Sequence, residues 1–353
     1  MKEKNYIELV DFNDCEISDR NGFYGGNAGV KEGIIYNGEY WIIKYPKNIT
    51  GLRNVDMSYS TSPLSEYVGS QIYNILGYDV HETLLGERND KIVVACKDFC
   101  YGDTRLAEMR TLKNIYNNEL QKVLDETFSS TSSSHKIDLE EILAHLKYNP
   151  VLSKVENINE RFWDMVIIDI LIANNDRNNG NWGLLFKNNK YELAPIFDNG
   201  SSFNNRSSNE KLVNLMSNDK MFVGIVSNVS TTFSINGHEL TSKKILNFEN
   251  DYLNKAIIKN VPLIKANFPK IKELILNIPE SYNGKEVFSK ERKTFYLRSM
   301  EIRLEKLLEP KLEQILNKEK NLSIHDRIKK TTEIKKTQKQ TKNISKSKKE
   351  IVK

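Results

Sequence analysis

Short apolar runs bounded by turn residues dominate residues 5–100, and runs with helical spacing follow. Ile34-Ile35-Tyr36 and Tyr40-Trp41-Ile42-Ile43-Lys44 flank Asn37-Gly38. Asn and Gly both tolerate positive φ, so the pair predicts a tight hairpin turn between two strands. Residues 80–87 and 91–96 predict a second hairpin around Asn89-Asp90. Between the hairpins, 52–63 reads as a polar, Ser-rich loop. Tyr67, Val68, Ile72, Ile75 and Leu76 then share a helical face over residues 65–76, which Gly77 ends. The predicted order is strand, glycine-rich turn, strand, strand, helix, strand, strand.

From about Tyr101 the pattern predicts helices. Residues 127–134 are a Ser/Thr tract expected to be an exposed loop, and 139–146 a helix. Residues 159–173 are apolar almost all round, which predicts a buried helix. That helix delivers the chain into Asn174-Asn175-Asp176. Residues 183–186 and 191–194 flank Asn188-Asn189 as a third hairpin. Further helices are expected at 208–218, 242–259, 269–277 and 290–317. Beyond Asn317 the chain is Lys, Thr, Gln and Ser with few large apolar residues, a composition expected to stay disordered.

Composition adjusts this picture in three ways. The chain has 353 residues, 39% hydrophobic, with 14 Phe and 16 Tyr. That is enough for about two domains with real cores. The net charge of +5 is uneven: residues 318–353 carry 13 Lys/Arg against 4 Asp/Glu, so the remainder is mildly acidic. A nucleic-acid role for the folded part is thereby weakened. The basic runs Arg327-Ile328-Lys329-Lys330, Lys335-Lys336 and Lys346-Ser347-Lys348-Lys349 fit a solvated tail, or contact with an anionic partner or an import receptor. Cys15, Cys96 and Cys100 form no metal-ligand spacing. An odd count without an apolar leader points to a reducing compartment, the bacterial cytoplasm in the reading adopted here, with delivery to host cells as a further option. No apolar run reaches the ~18 residues of an integral membrane segment.

The chemistry-bearing residues cluster in two turns. Asp176 and Asn181 lie in Asn174-Asn175-Asp176-Arg177-Asn178-Asn179-Gly180-Asn181, and Asp198 opens Asp198-Asn199-Gly200. Each stretch is also ordinary turn material. Their order and spacing match what phosphoryl transfer from ATP needs: one carboxylate facing the attacking hydroxyl, and an Asn and a second carboxylate holding Mg2+. Upstream, Gly25, Gly26, Asn27 and Gly29 lie in a glycine-dense stretch that precedes a hairpin. No helix opens behind it, which argues against a Rossmann or Walker loop and leaves a loop over phosphates or a plain turn. Lys44 closes a strand and is either a phosphate cation or a solvated surface lysine. Glu66, on the next helix, is the natural partner to hold it, or a helix N-terminal acid. Arg177 fits either charge neutralisation at the transferred group or a structural ion pair.

Taken together, these stretches resemble the HipA-like serine/threonine kinases. The resemblance rests on Gly22-Phe23-Tyr24-Gly25-Gly26-Asn27, Ser65-Glu66-Tyr67-Val68, His81-Glu82-Thr83-Leu84-Leu85-Gly86 and residues 91–99, together with Phe162-Trp163-Asp164-Met165, residues 175–183 and Ala194-Pro195-Ile196-Phe197-Asp198. It spans roughly residues 10–205. It implies an α+β, two-lobed protein-kinase-like fold: a β-rich N-lobe (1–100), a helical C-lobe (101–317) and a tail (318–353). It further implies Asp176 as catalytic aspartate, Asn181 and Asp198 as metal ligands and Lys44 as the ATP-phosphate lysine. The backbone of Ala95, Cys96 and Lys97 would form the adenine hinge. ATP and Mg2+, with Mn2+ as the alternative ion, are the implied cofactors, and a protein Ser/Thr the implied acceptor. Autophosphorylation is expected, with residues 58–65 and the tail as sites; a bacterial effector or toxin role is expected by analogy. A small-molecule or lipid kinase and a silent nucleotide-binding module are the alternatives. Asn174 stands where eukaryotic kinases have His, Asp-Asn-Gly replaces Asp-Phe-Gly, and no Ala-Pro-Glu follows. With about twenty residues before the glycine stretch, the extra N-terminal subdomain of larger HipA proteins is not expected.

Overall fold

The computed structural model describes residues 6–21, 31–124 and 137–321. The glycine stretch with Gly25, Gly26, Asn27 and Gly29, the Ser/Thr tract and the tail beyond residue 321 lie outside the described residues.

Six strands form the N-lobe sheet: β1 (Val10–Asp11), β2 (Glu16–Ile17), β3 (Lys31–Tyr36), β4 (Glu39–Lys44), β5 (Thr83–Arg88) and β6 (Lys91–Lys97). Their order is β1-β5-β6-β4-β3-β2, antiparallel except for β1 beside β5. Both tight turns take the backbone that Asn permits: φ is 52° at Asn37 and 49° at Asn89. Strand alternation then sorts the side chains. Val93 and Ala95 face a small outer core with Phe12, Ile34, Trp41 and Ile43. Val94, Cys96 and Leu85 face the main core, where Val68 and Ile72 of α1 (Ser62–Ile75) cover them. Helix α1 starts a turn earlier than its apolar pattern, because Pro63 fits a first turn whose N–H groups are unbonded anyway.

The C-lobe contains β7 (Arg105–Glu108), α2 (Met109–Leu124), β8 (Ile137–Asp138), α3 (Leu139–Tyr148), α4 (Ile158–Ile172), β9 (Gly183–Lys187), β10 (Lys190–Leu193), α5 (Asn209–Met216) and α6 (Asp219–Val226). It continues through β11 (Ser230–Ile235), β12 (His238–Thr241), α7 (Ser242–Leu246), α8 (Asp251–Asn277), β13 (Ser281–Tyr282), β14 (Lys285–Glu286) and α9 (Lys290–Arg303). Helix α4 is its axle, with Phe162, Trp163, Val166, Ile167, Ile170 and Leu171 buried around the whole circumference. The two acids in that run, Asp164 and Asp169, are buried and bonded. Asp164 accepts from Lys259 Nζ (2.6 Å) and Asn260 Nδ2 (2.6 Å) on α8.

Three expectations change here. The helices expected at 242–259 and 269–277 are α7 and one long α8 that continues through Pro262 and Pro269. The buried stripe Leu253, Ile257, Val261, Ile264, Ile271 and Ile275 runs across both prolines, and its packing outweighs the roughly 3 kcal/mol that each proline costs a helix interior. The hairpin β11–β12 falls between the helices expected at 208–218 and 242–259, and strand β7, which pairs with β9, falls where no strand was expected. Helix α9 continues through a π turn (Leu304–Leu308) to residue 321, past the expected start of the tail. Within α9, Arg303 is buried; its Nε donates to Val226 O (3.0 Å) and its Nη1 to Leu171 O (2.8 Å). One cation thus serves the carbonyl ends of α6 and α4, where helix dipoles are negative. Among the described residues no helix is long and apolar enough to cross a membrane.

Candidate active site

Strand parity sets the site's upper wall. Ile42 and Lys44 of β4 stand opposite Cys96 and Val94 of β6, and Lys31 of β3 stands opposite Lys44. Ile42, Lys44, Cys96 and Lys31 all line a cavity of about 610 Å³ between the lobes. Lys44 Nζ lies 3.1 Å from Glu66 Oε2 and 2.6 Å from Asp198 Oδ1. Burial works against the Lys44 ammonium, but Asp198 and Glu66 outweigh it and hold its pKa well above the ordinary lysine value. Burial likewise opposes the Glu66 carboxylate, and Lys44 and His81 hold its pKa far below the usual range. The Asp198 carboxyl is shifted down by Lys44 in the same way, against its burial.

The lower wall grows out of α4. Ala173 ends the helix in the left-handed region (φ 53°), which costs a residue with a Cβ about 1–2 kcal/mol. Asn174 N donates to Asp169 O (2.9 Å), and the chain turns into the Asp176 loop. That loop is tied internally: Asn174 Oδ1 accepts from Asp176 N (3.1 Å), Asn178 Nδ2 donates to Asp176 Oδ1 (2.9 Å), and Asn181 Nδ2 donates to Asp176 O (2.6 Å). With its amide nitrogen so engaged, Asn181 presents Oδ1 as its acceptor. Hairpin β9–β10 returns the chain to Asp198, whose φ of 61° is a second strained point in the site. Asp176, Asn178, Asn181, Asp198, Lys44 and Glu66 line one cavity of about 160 Å³. An Asn oxygen and a carboxylate are the hard oxygen donors a Mg2+ or Mn2+ ion takes from a protein, so these residues fit such an ion.

Arg177 joins the two loops. It is 1% exposed. Its Nε donates to Asp169 Oδ2 (2.8 Å), its Nη1 to Asn181 O (2.9 Å) and to Phe197 O, and its Nη2 to Asn199 Oδ1 (2.5 Å). The structural ion pair is therefore the arrangement present, and the guanidinium does not face the reacting centre.

Ala95, Cys96 and Lys97, the expected hinge, are the last three residues of β6. Ala95 stands opposite both Ile43 and Leu84, and Cys96 opposite both Ile42 and Thr83, so their backbone groups belong to sheet ladders. Lys97 N donates to Glu82 O (2.9 Å) and Asp98 N to Tyr40 O (2.9 Å). Asp98, Phe99, Cys100, Tyr101 and Gly102 line the large cavity, as do Cys96 and Lys97. Phe99 and Phe197, with ring centroids 5.7 Å apart, form its apolar end. Arg20, which pairs with Asp98 (2.8 Å) and donates to Cys100 O, closes the rim. Of the expected autophosphorylation stretch, Ser60 and Ser65 are buried, and Ser65 Oγ donates to Ser202 O (3.1 Å).

Sequence reasoning gave no role to His81, Ser70, Asp169 or Asn199. All four are buried at the junction of Glu66 and Arg177. His81 lies inside a quoted stretch, but nothing local signals that it meets Glu66 fifteen positions upstream.

A family model described as the HipA-like C-terminal domain matches residues 27–251. This chain belongs to the HipA-like family. The serine/threonine-protein kinase CtkA of Helicobacter pylori (strain J99) is 38% identical to this HipA-like chain over 205 residues, 55% of this chain and 56% of that protein. The match thus spans little more than half the length of that curated relative. The crystal structure of a Helicobacter pylori proinflammatory kinase CtkA superposes with a TM-score of 0.73 and 28% identity, covering 88% of this chain and 99% of that one. HipA of Shewanella oneidensis MR-1, solved with HipB and operator DNA, gives a TM-score of 0.50 at 13% identity over 87% of this chain and 75% of that one; at that identity the likeness is one of fold. The HipA-like chain therefore has the two-lobed, kinase-like α+β fold.

Proposed function

We propose that this protein is an ATP-dependent serine/threonine protein kinase of the HipA-like type. The observation that carries the reading is that Lys44, Glu66, Asp176, Asn181 and Asp198, drawn from four separate parts of the chain, line one small cavity. It adjoins a larger cavity with an apolar end suited to adenine, and Lys31, Lys44 and Asp198 line both. Lys44 holds the α and β phosphates. The resemblance assigns Gly25, Gly26, Asn27 and Gly29 to the same phosphates, and Phe99, Cys100 and Tyr101 line the larger cavity where the base would sit. Asn181 and Asp198 would hold Mg2+, with Mn2+ as the alternative, and the ion would supply charge neutralisation at the phosphates. Asp176 orients the acceptor hydroxyl and takes its proton; the rest of the catalysis is positioning and electrostatics.

A protein acceptor is favoured over a small molecule by the likeness to a serine/threonine-protein kinase. A further cavity of about 360 Å³, lined by Asn175, Ser201, Asn204, Asn205 and Arg206, shares Ser201 with the catalytic cavity. Ser201 Oγ lies 3.5 Å from Asp176 Oδ2, the region an incoming hydroxyl would enter. Asp176→Asn is expected to lower kcat at least about 100-fold, the usual contribution of a positioned base, with an unchanged thermal midpoint. Wild-type transfer to a generic basic protein by this variant would sink the assignment. Autophosphorylation belongs to the same reading and is read by mass spectrometry of the wild type against Asp176→Asn. A host-directed role rests on the word proinflammatory used of the Helicobacter kinase, and a translocation reporter fused to this chain tests it.

A further inference from the structure

Glu66 has two oxygens and two partners. Oε2 faces Lys44, and Oε1 lies 3.0 Å from His81 Nε2. With Nε2 protonated, the ring places a donor against that carboxylate oxygen. The same ring nitrogen is 3.1 Å from Ser70 Oγ, one helical turn beyond Glu66 on α1. Asn199 Nδ2 donates to Ser70 Oγ (3.0 Å), and Arg177 donates to Asn199 Oδ1. His81 is itself fixed from the other lobe, its backbone N donating to Ile196 O (3.0 Å), two residues before Asp198. Backbones close up along the same line: a Cβ on Gly69 would meet Asn199 Cβ at 2.8 Å, and one on Gly200 would meet Glu66 Oε2 at 3.0 Å.

We infer that His81 is a positioning residue for phosphoryl transfer: it holds Glu66 in the orientation that aims Lys44, and through Ser70 and Asn199 it fixes that pair to the loop bearing Asp198. This rests on the kinase reading above. Glu66, His81 and Cys96 also bring potential metal-ligating atoms within 4.8 Å of one another. Lys44 occupies the other carboxylate oxygen and burial pushes the pKa of the Cys96 thiol up, both of which oppose metal ligation by that trio. The polar chain does what a modified activation segment does elsewhere. Asn199, standing where eukaryotic kinases have Phe, is the link that makes it polar.

The test uses the full chain with His81→Leu, which removes the donor, and His81→Gln, whose amide nitrogen can replace Nε2. His81→Leu is expected to lower kcat ten- to a hundredfold, with KM for ATP changing less than threefold, and His81→Gln to recover kcat to within about fivefold of wild type. Equal kcat in wild type and His81→Leu, or no difference between the Leu and Gln variants, would overturn the inference and leave the kinase reading standing. A second readout needs nucleotide binding but no acceptor: labelling of Lys44 by an acyl-phosphate derivative of ATP, followed by mass spectrometry. It is expected to slow at least fivefold in His81→Leu alone. If wild type binds nucleotide but transfers no phosphate, the kinase reading fails and the labelling rates still decide the role of His81. Should His81→Leu not fold, Ser70→Ala removes one hydroxyl from the chain and is expected to lower kcat about threefold; an unchanged value overturns the inference.

Discussion

At the scale of single residues, Lys44 is the charge on which the site depends. It lies between Glu66, 2% exposed, and Asp198, 32% exposed. Lys44→Met leaves two neighbouring carboxylates without their cation. Breaking a buried pair from one side costs about 3–5 kcal/mol, and the exposure of Asp198 puts this case at or below about 3. Chemical denaturation is expected to show that loss, together with a fall in kcat on the order of a hundredfold. A variant as stable as wild type would mean that the carboxylates find other partners. The residue types of the site were readable because Asp176, Asn181 and Asp198 sit in short, polar, strongly patterned turns. The partners of Glu66 and Arg177 were not, because His81, Ser70, Asp169 and Asn199 reach them through tertiary contact. Ala95 and Cys96 read as strand, and only the sheet order shows that both their edges are occupied.

At the scale of elements, two helices carry testable consequences. Helix α1 approaches the Asp198 loop at Gly69. Gly69→Ala is expected to push the helix away from Asn199, costing about 1–3 kcal/mol of stability, as overpacking does, and at least tenfold in kcat. Retained activity at reduced stability would show that the helix position is not critical. Helix α3 carries His145, fully buried and neutral: Nε2 donates to Asn117 Oδ1 (3.0 Å) and Nδ1 accepts from Asn149 Nδ2 (3.2 Å). A second ring proton would confront the Asn149 amide donor. Burial, with Lys113 nearby, pushes the His145 pKa down to about 4 from 6.5. The unfolded chain thus takes up this proton near pH 6.5 and the folded one only near 4. Stability should be complete above pH 6.5 and fall by up to about 1.4 kcal/mol per pH unit toward pH 4. His145→Gln should flatten that slope in urea titrations, and an unchanged slope would assign the acid sensitivity to other groups. Elements that rest on local turn chemistry were legible, as at Asn37-Gly38 and Asn188-Asn189. The same signal stands at Asn236-Gly237 and Asn283-Gly284, where φ is again positive, and reading it would have found β11–β12 and β13–β14. Strand β7 carries no such signal, since its partner β9 lies about eighty residues away.

At the scale of the molecule, the lobes share a buried seam. Tyr73 of α1 donates to Asp169 Oδ1 (2.9 Å) and is 3.1 Å from Met165 O on α4, while Val80 pairs with Ile196 beside it. Nucleotide bound in the cavity between the lobes would bridge them at the open side of that seam. Mg·ATP at a hundred times its Kd is expected to stabilise the protein by about 2.7 kcal/mol, a rise of several degrees in thermal midpoint, with little effect in Asn181→Ala when the metal is required. No shift with any purine nucleotide would argue against the cleft as a nucleotide site. The two-lobed plan was legible because strand signals crowd into the first hundred residues and mostly helical ones follow. Which lobe surfaces meet was not, since it depends on pairings such as Tyr73 with Asp169.

Arg177 and Asp176 are neighbours in the chain but answer to different demands. Asp176 faces the cavity, and its chemistry can be lost while the interior stays packed. Arg177 reaches Asp169, Asn181, Phe197 and Asn199, and removing it would leave a buried carboxylate without its counter-ion. A descendant that abandoned phosphoryl transfer would be free to drift at the first position and still be held at the second. Arg177 is then expected to record architecture, and the residue before it to record chemistry.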